Sequence, residues 1–463
     1  MDQSVIERFA GIVGSGQVLS SAVDLALYGQ DAYLVKGLPD LVVLPGSTEE
    51  VSRVMALAKE LGLPIIARGA GSNLTGGVVP VRGGVVIHLS RLNQILEIDA
   101  VNRLARVQPG VITLDLQNAV AKTGLQYAPD PASQKTSTLG GNLGENAGGP
   151  HCLKYGVTAN HILGARLVLY DGTVVEVGGD TQDLPGLDLM GLLVGSEGTL
   201  GVVTEITLRL IAQPEAIKTL LAVYSTLEDA VDTVSAVIAD GIVPATLEMM
   251  DNTVIQAVED SMAAGYPRDA AAVLIIELDG LQDGMERLSG RIMEICQRHK
   301  VREVKAAKDA AERMKLWVGR KGAFGAISRL RPSYLVCDGT VPRTKLPATL
   351  KKVMELAARH QLRVGNVFHA GDGNLHPLIL FDVRDPEELK RVNALGSAIL
   401  KLCVEMGGTI SGEHGIGVEK LKEMGFIFGA ADIEFMRSLK RAFDPAGLMN
   451  PGKVLPEPAS LAA

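Results

Sequence analysis

The stretch LVVLPGSTEEVSRVMALAKELGLPIIARGAGSNLTGG, residues 41–77, decides the fold of this chain. Its opening run, 41–44, is apolar and predicts a short strand. A Ser-Thr-Glu-Glu capping box and apolar residues at helical spacing then predict a helix that ends at Gly62. The run 64–67 predicts a buried strand that leads into a glycine loop. Glycine in such a loop allows the backbone to lie close to a ligand.

Working outward from this stretch, the sequence predicts two styles of structure. Further strands are expected at 85–89, at 104–107, in a hairpin over 164–177 and at 201–210. After Pro214, strand-like runs alternate with amphipathic helix patterns. The helix patterns cover 226–240, 284–299, 345–360 and 386–406. We therefore expect an α+β chain with a second domain, in which an antiparallel sheet carries helices on one side.

The bulk composition restricts the class of protein. A chain of 463 residues with 47% hydrophobic and 21% charged residues is expected to be globular, with two or three domains. The net charge of −8 and the lack of a basic run argue against nucleic-acid binding. The 4 Cys are scattered without a C-x-x-C pair, which excludes an iron–sulfur cluster built by this chain alone. We expect a cytoplasmic protein without a signal peptide or membrane span.

Glycine is concentrated in three segments that each lie next to a predicted strand. They are 68–77, 129–156 and 195–208. None carries the dinucleotide fingerprint G-x-G-x-x-G or a Walker A sequence. Any one of them alone is best explained as a surface turn. Three together favour successive backbone N–H groups that cradle one large cofactor with phosphate groups.

Two histidines lie seven residues apart in FHAGDGNLHPLIL, residues 368–380. Internal glycines and Pro377 argue against a helix, and odd spacing in one strand would send the two side chains to opposite faces. A hairpin that turns at Asp372-Gly373 would place His369 directly opposite His376, with Cβ atoms about 4.5–5.5 Å apart. We interpret this pair as a metal clip; the alternative is a pair of histidines that pack in the core or bond to backbone. Asp372 itself is interpreted as a turn residue.

A third candidate ligand comes from SGEHGIG, residues 411–417, in which Glu413 precedes His414. Two histidines and a carboxylate form a common catalytic zinc site, although nitrogen and oxygen ligands leave Mn²⁺ and Fe²⁺ open. The segment LWVGRKGAF, residues 316–324, offers Arg320, whose forked guanidinium suits a carboxylate. A solvated surface charge is the alternative for Arg320. Trp317, the single Trp, is interpreted as a core residue.

These segments resemble a known superfamily in their order along the chain. Residues 41–77, 129–156 and 195–210 resemble the FAD-binding domain of the vanillyl-alcohol oxidase / p-cresol methylhydroxylase superfamily. The later segments resemble its FAD-linked oxidase C-terminal branch, which includes D-lactate dehydrogenases, D-2-hydroxyglutarate dehydrogenases and the glycolate oxidase FAD subunit. The phrases AGGPHCLKYG, LEMMDN and SGEHGIG are most similar to the last of these.

The resemblance implies a cofactor site and a domain plan. FAD would lie between two α+β subdomains of a PCMH-type domain, and it would be non-covalent because the first glycine loop contains no His. The expected FAD-binding residues are Arg68, Gly69, Ala70, Gly71, Ser72, Asn73, Gly76, Pro129, Gly140, Gly141, Asn142, Asn146, Gly149, Glu197, Gly198, Gly201, Val202, Val203 and Asn450. The expected parts are an N-terminal segment 1–36, the FAD-binding domain 37–213, a cap or substrate domain 214–420 and a returning C-terminal segment 421–463.

The resemblance also implies the reaction. A divalent metal, expected to be zinc, would be held by His369, His376 and Glu413, and Arg320 would bind the substrate carboxylate. Oxidation of a D-2-hydroxy acid removes a proton from the hydroxyl, for which His414 is the natural base, and a hydride that flavin accepts. The alternatives are a non-catalytic flavoprotein subunit of a larger oxidase, a D-2-hydroxyglutarate dehydrogenase and a flavin-free metal hydrolase.

Substrate and partners follow from finer points of the resemblance. The D-2-hydroxyglutarate enzymes carry a Lys and an Asn at the positions aligned with Val336 and Leu378. Because a second, unpaired carboxylate is costly to bury, we favour glycolate or D-lactate as the substrate. The expected partners are a second FAD-type subunit with an iron–sulfur subunit, or else a quinone or soluble electron carrier. A partner complex would allow a peripheral location at the membrane.

Overall fold

The computed structural model describes residues 1–182 and 185–457. Its helices are α1 (Gln3–Val13), α2 (Ala22–Tyr28), α3 (Thr48–Glu60), α4 (Thr113–Ala121), α5 (Leu139–Glu145), α6 (Cys152–Tyr155), α7 (Met190–Leu193), α8 (Leu227–Ala239), α9 (Asn252–Met262), α10 (Met285–Arg298), α11 (Ala310–Lys321), α12 (Ala323–Ile327), α13 (Leu346–Arg359), α14 (Pro386–Glu405) and α15 (Ala430–Phe443). None of the helices in the described ranges has the length and apolar character of a membrane span.

The strands make up four sheets within the described ranges. They are β1 (Val18–Leu19), β2 (Leu41–Val43), β3 (Ile65–Arg68), β4 (Val85–His88), β5 (Ile95–Asp99), β6 (Leu104–Val107), β7 (Leu125–Gln126), β8 (Ile162–Val168), β9 (Val174–Gly178), β10 (Val202–Arg209), β11 (Ile211–Ala212), β12 (Ala216–Tyr224), β13 (Thr246–Asp251), β14 (Ala272–Gly280), β15 (Glu303–Ala306), β16 (Ser333–Val336), β17 (Gly339–Thr340), β18 (Arg363–His369), β19 (Asn374–Leu375) and β20 (Pro377–Phe381).

The chain divides into two compact units. Unit 1 comprises residues 1–148, 156–213 and 413–463, and unit 2 comprises 149–155 and 214–412. The domain boundaries given above stay a prediction. The last residues of the predicted C-terminal segment 421–463 lie outside the described residues.

The opening stretch forms the predicted strand, helix and strand in unit 1. Ser47 accepts a hydrogen bond from the Glu50 amide at 3.2 Å and so caps α3. The Glu50 carboxylate reaches back to the Gly46 amide at 2.6 Å, one residue before the position in the usual capping box. Strands β2 and β3 both pair in parallel with β4, and β1 completes a four-stranded sheet. The apolar faces of α1 and α3 bury the sheet's core.

A second, antiparallel sheet of unit 1 has the strand order β5-β6-β10-β8-β9. The predicted strand at 104–107 forms as β6, and the predicted hairpin forms as β8 and β9. Along β10, Val202, Thr204, Ile206 and Leu208 are buried, as alternation in the sequence indicates. These two sheets are the two α+β parts from which the glycine segments emerge.

Unit 2 contains a nine-stranded sheet, and helices cover both of its faces. Leu221 and Val223 of β12 pack in one core cluster with side chains of α9, α11 and α12. Leu220 and Ala222 are equally buried but point to the opposite face, where α8 and α10 contact the sheet. The expectation of helices on one side is therefore wrong. The unbroken apolar run in β14 is typical of a strand that is buried on both faces.

Candidate functional site

The two histidines of the predicted hairpin lie on one face of the sheet in unit 2. His369 ends β18 and pairs with Asn374, so that the turn spans residues 370–373. The predicted direct pairing of His369 with His376 is therefore wrong by two residues. A shift of two residues keeps each side chain on its original face, because side chains alternate with a period of two. The rings still meet edge to face, with centroids 5.2 Å apart.

Tertiary pairing sets this register rather than local turn preference. Strand β19 also pairs with β17, where Thr340 lies opposite Asn374. The Val341 amide donates to the Gly373 carbonyl at 3.0 Å, and Gly373 has φ +79°. Asp372 accepts the Asn374 amide at 3.3 Å within the turn, the role expected of a turn residue. The longer turn is thus held by a third strand that comes from elsewhere in the chain.

Both imidazole rings are fixed through Nδ1. His369 Nδ1 lies 2.8 and 3.0 Å from the two carboxylate oxygens of Glu248, and His376 Nδ1 lies 3.2 Å from the Cys337 carbonyl oxygen. A carboxylate and a carbonyl only accept, so each Nδ1 carries the proton and each Nε2 carries a lone pair. Metal-ligating histidines are typically anchored in this way. The donor set of unit 2 therefore fits a divalent metal.

Arg320 is buried beside this pair. It lies on α11 and is 2% exposed, and its Nη2 is 2.6 Å from Glu248 Oε2. Its Nε is buried and has no hydrogen-bond partner among the described residues. Burial alone would raise the pKa of Glu248, but its contacts with His369 and Arg320 outweigh burial and lower that pKa. A guanidinium with a spare buried donor is suited to a carboxylate ligand.

Sequence reasoning missed Glu248, although LEMMDN was among the phrases that carry the resemblance. Glu248 lies between the apolar residues Leu247 and Met249 in the fully buried strand β13. An acid in such a place is a signal, because a buried charge requires partners. Trp317 is a core residue as expected, and its Nε1 donates to Glu277 at 2.8 Å.

Glu413 and His414 belong to unit 1, where their loop is firmly tied. The Thr75 hydroxyl donates to the His414 carbonyl at 3.4 Å. The amides of Ile416 and Gly417 each donate to the Glu197 carboxylate at 2.7 Å. His414 Nε2 lies 3.8 Å from Glu413 Oε1. These bonds hold the loop backbone at His414 and directly after it.

The glycine segments of unit 1 line a common cleft. Its lining includes Arg68, Gly69, Gly140, Gly141, Glu197, Gly198, Gly201 and Val203 from the predicted FAD-binding set. A Cβ on Gly69 would overlap the hydroxyl of Thr138, which caps α5. Gly71 has φ +71°, and a Cβ there would overlap the buried guanidinium of Arg68. A cleft that only glycine leaves open, with a buried cation beside it, fits an elongated cofactor with a pyrophosphate.

The remaining predicted FAD residues lie outside the lining of this cleft. Asn73 accepts the amides of Thr75 and Gly77, and Asn142 donates to Thr113 at 2.7 Å. Asn146 ends α5 in the left-handed conformation, and Asn450 donates to the carbonyls of Gly77 and Glu197. Ala70, Ser72 and Gly76 lie in the first glycine segment, Pro129 in the second, and Val202 in the core of unit 1. Gly149 belongs to unit 2.

The cleft also contains a buried acid that sequence reasoning missed. Glu145 lines it together with Glu197, and its Oε2 has no hydrogen-bond partner among the described residues. Burial, and then the neighbouring charge of Glu197, raise the pKa of Glu145. Burial also raises the pKa of Glu197, and the amides of Ile416 and Gly417 partly offset it. Two carboxyl groups in one enclosed site favour retention of a proton.

Comparison with known proteins defines the class of protein. The chain shares its fold with p-cresol methylhydroxylase, with a TM-score of 0.83 over 98% of this chain and 96% of that chain, at 18% identity. Residues 39–178 match the FAD binding domain family, and residues 213–454 match the family described as FAD linked oxidases, C-terminal domain. The chain belongs to the FAD-linked oxidases. FAD is thus its cofactor, and it is a flavoprotein oxidoreductase.

Two characterised relatives extend along most of the chain. One is the glycolate oxidase subunit GlcD of Escherichia coli (strain K12), which is 48% identical over 428 residues, 92% of this chain and 85% of the relative. The other is the D-lactate dehydrogenase of Anaerostipes hadrus, which is 34% identical over 444 residues, 93% of this chain and 91% of the relative.

Proposed function

We propose that this chain oxidises a small D-2-hydroxy acid, glycolate or D-lactate, to the 2-oxo acid. Both relatives are named for the oxidation of a hydroxy acid, glycolate in one and D-lactate in the other. The observation that carries the proposal is the buried group in unit 2. It combines two histidines anchored at Nδ1, a pair suited to a metal, with a guanidinium suited to the substrate carboxylate.

The residues of the chain have distinct tasks in this proposal. When bound, FAD accepts the hydride from Cα, and a divalent ion, proposed to be zinc, stabilises negative charge on the substrate hydroxyl oxygen. Arg320 holds the substrate carboxylate through its donors and so orients Cα. His414 takes the hydroxyl proton. Glu413, which follows Gly412 directly in the chain, is the proposed third metal ligand beside His369 and His376.

FAD is proposed to bind non-covalently along the glycine segments of unit 1. Its pyrophosphate would lie on residues 69–73 and Gly76, near Arg68. Gly140 and Gly141 would follow its path, and the segment that begins at Glu197 would close its adenine end. The overlap that any side chain would cause at Gly69 or Gly140 supports this path.

Two apolar residues support a monocarboxylate substrate. Val336 and Leu378 are direct partners across β16 and β20, and both are buried in the apolar core cluster of unit 2. A second carboxylate placed there would lose its hydration without gaining a charged or polar partner. The proposal therefore favours glycolate or D-lactate over D-2-hydroxyglutarate.

The electrons must leave the reduced flavin through a second protein or carrier. The relative named as a glycolate oxidase subunit supports an assembly, for which we propose a second FAD-type subunit and an iron–sulfur subunit. A quinone or soluble carrier is the alternative acceptor. We propose a cytoplasmic protein that is held at the membrane only through such partners.

An anaerobic visible spectrum tests the function directly. The purified protein should be yellow, and glycolate or D-lactate should bleach the flavin band rapidly, while L-lactate and D-2-hydroxyglutarate should bleach it slowly or not at all. Metal content is measured on the same sample. Bleaching by none of these acids, with FAD and metal both bound, would contradict the proposal. Rapid bleaching by D-2-hydroxyglutarate alone would contradict the proposed choice of substrate.

A further inference from the structure

Glu248 joins the proposed metal ligand His369 to the proposed substrate cation Arg320. It lies on β13 directly opposite His369 on β18, and such cross-strand partners have adjacent side chains. One carboxylate thus receives His369 Nδ1 at 2.8 Å and Arg320 Nη2 at 2.6 Å. All three side chains are buried, and Glu248 itself is 1% exposed.

We propose that Glu248 is a positioning residue that prepares both groups for the reaction. It holds the proton of His369 on Nδ1, which keeps the Nε2 lone pair available to the metal. It also fixes the plane of the Arg320 guanidinium through Nη2. This inference rests on the proposed function, because it assumes that His369 binds a metal.

The cost of burying Glu248 supports a role beyond packing. A buried carboxylate loses its hydration, and a pair of apolar residues of similar volume is often at least as stable as a buried ion pair. Its neighbours along β13, Leu247 and Met249, are apolar and buried, so the strand itself has no need of a charge at this position. Unlike an apolar residue, the carboxylate accepts a hydrogen bond from His369 Nδ1, and it has no proton to donate to that nitrogen.

Glutamine isolates this property. In Glu248→Gln the amide oxygen can still accept from Arg320, which leaves the amide NH₂ facing His369 Nδ1. An NH₂ group donates, so it favours the tautomer of His369 that carries its proton on Nε2 and cannot bind a metal there. The volume of the side chain stays the same. Lower metal affinity is therefore expected from the change in proton position.

The sheet provides a matched control at Glu277 on the neighbouring strand β14. Glu277 is also fully buried and pairs with a guanidinium, that of Arg313, through two hydrogen bonds of 2.8 Å. His369 and His376 are anchored instead by Glu248 and by the Cys337 carbonyl oxygen. Glu277→Gln thus removes a comparable buried charge from the same sheet without changing the anchor of either histidine.

The experiment compares metal affinity in the FAD-loaded parent, Glu248→Gln and Glu277→Gln. Zn²⁺ is titrated against a competing chelator, and bound FAD is measured from the visible spectrum. We expect Glu248→Gln to bind Zn²⁺ about 10- to 100-fold more weakly, as for other outer partners of metal ligands, with FAD content unchanged. Glu277→Gln should bind Zn²⁺ as the parent does.

Three outcomes would overturn the inference. If Glu248→Gln binds Zn²⁺ as tightly as the parent, Glu248 does not position the ligand. If both variants weaken binding equally, the effect is a general loosening of the sheet. If the parent itself takes up no Zn²⁺, the metal part of the proposed function fails together with the inference. This outcome differs from the first two, in which the parent binds Zn²⁺ and only the inference fails.

A second variant covers the case in which Glu248→Gln does not fold. Glu248→Asp keeps the charge but is one methylene shorter, which draws the carboxylate back from both His369 and Arg320. We expect its Zn²⁺ affinity to lie between those of the parent and His369→Ala. Affinity equal to that of the parent would overturn the inference.

Discussion

The glycine cleft of unit 1 and the histidine group of unit 2 are built in opposite ways. The cleft uses runs of consecutive residues, and its shape depends on the absence of side chains at positions such as Gly69 and Gly140. The histidine group takes single side chains from β13, β18 and α11, with no contiguous motif that contains them all. A site made of backbone is therefore visible in the sequence, whereas a site made of distant side chains is visible only in part.

The two regions should also fail independently. Damage to the cleft should release FAD and leave the histidine group intact, because the two sets of residues belong to separate units. Damage to the histidine group should release metal and leave FAD bound. Each of the following substitutions tests this separation.

The largest effect is expected from His414→Ala, which removes the proposed base without removing a ligand of either cofactor. Turnover should fall by about 10²- to 10⁴-fold, the usual contribution of general acid–base catalysis. FAD and metal content should match the parent. His360→Ala, at the end of α13, is the control and should retain turnover. Turnover of His414→Ala near that of the control would exclude His414 as the base.

The next effect is expected from His369→Ala, which should weaken metal binding without releasing FAD. We expect Zn²⁺ affinity to fall by more than about 100-fold, because removal of a ligand should cost more than removal of its outer partner. The visible flavin spectrum should persist, and reduction by glycolate or D-lactate should be lost. Chelator competition and the spectrum measure both on one sample. Retained metal with full turnover would refute the metal clip.

Gly69→Ala is the converse test in the cleft. Its Cβ would overlap the Thr138 hydroxyl that caps α5, and overpacking of this kind costs about 1–3 kcal/mol. FAD affinity should fall roughly 10- to 100-fold at 1.4 kcal/mol per tenfold, while Zn²⁺ affinity stays unchanged. Gly290→Ala in α10, where a Cβ meets no neighbouring atom, is the control for helix and fold effects. Equal loss of FAD in both variants would contradict the assignment of the cleft.

The smallest effect is a pH dependence of the free energy of unfolding, which we attribute to His88 in unit 1. Burial and then the charge of Arg68 lower the pKa of His88 to about 4. Because its pKa in the unfolded chain is higher, the stabilisation is present above about pH 6.5 and is lost as pH falls toward 4, by up to about 1.4 kcal/mol per pH unit. His88→Gln should flatten this slope in unfolding midpoints measured from pH 7 to pH 4.5. Identical slopes in parent and variant would contradict the assignment of this pH dependence to His88.

Local patterns predicted most of the elements. The capping box before α3 and the apolar spacing within it placed that helix, and the strand at 104–107 was placed to the residue. Each of these features depends on neighbours within one turn or one strand. The family, the fold and FAD were likewise accessible from the sequence, because long consecutive segments carried the resemblance.

Two errors arose where one strand depends on others. The register of the histidine hairpin was wrong because β17 pairs with β19 and extends the turn to four residues. The helices on the second face of the unit 2 sheet were not predicted, because an apolar run such as that of β14 does not indicate which helices will pack on each face.

What the sequence by itself determined is the set of elements, the cofactor cradle and the identity of the candidate ligands, because these depend on residues that are adjacent along the chain. Only the tertiary structure decided how His369 is held. Glu248, which is 121 residues away along the chain, contacts His369 through the pairing of β13 with β18, and Arg320 of α11 binds the same carboxylate. Such contacts depend on strand order and register, which no local pattern specifies.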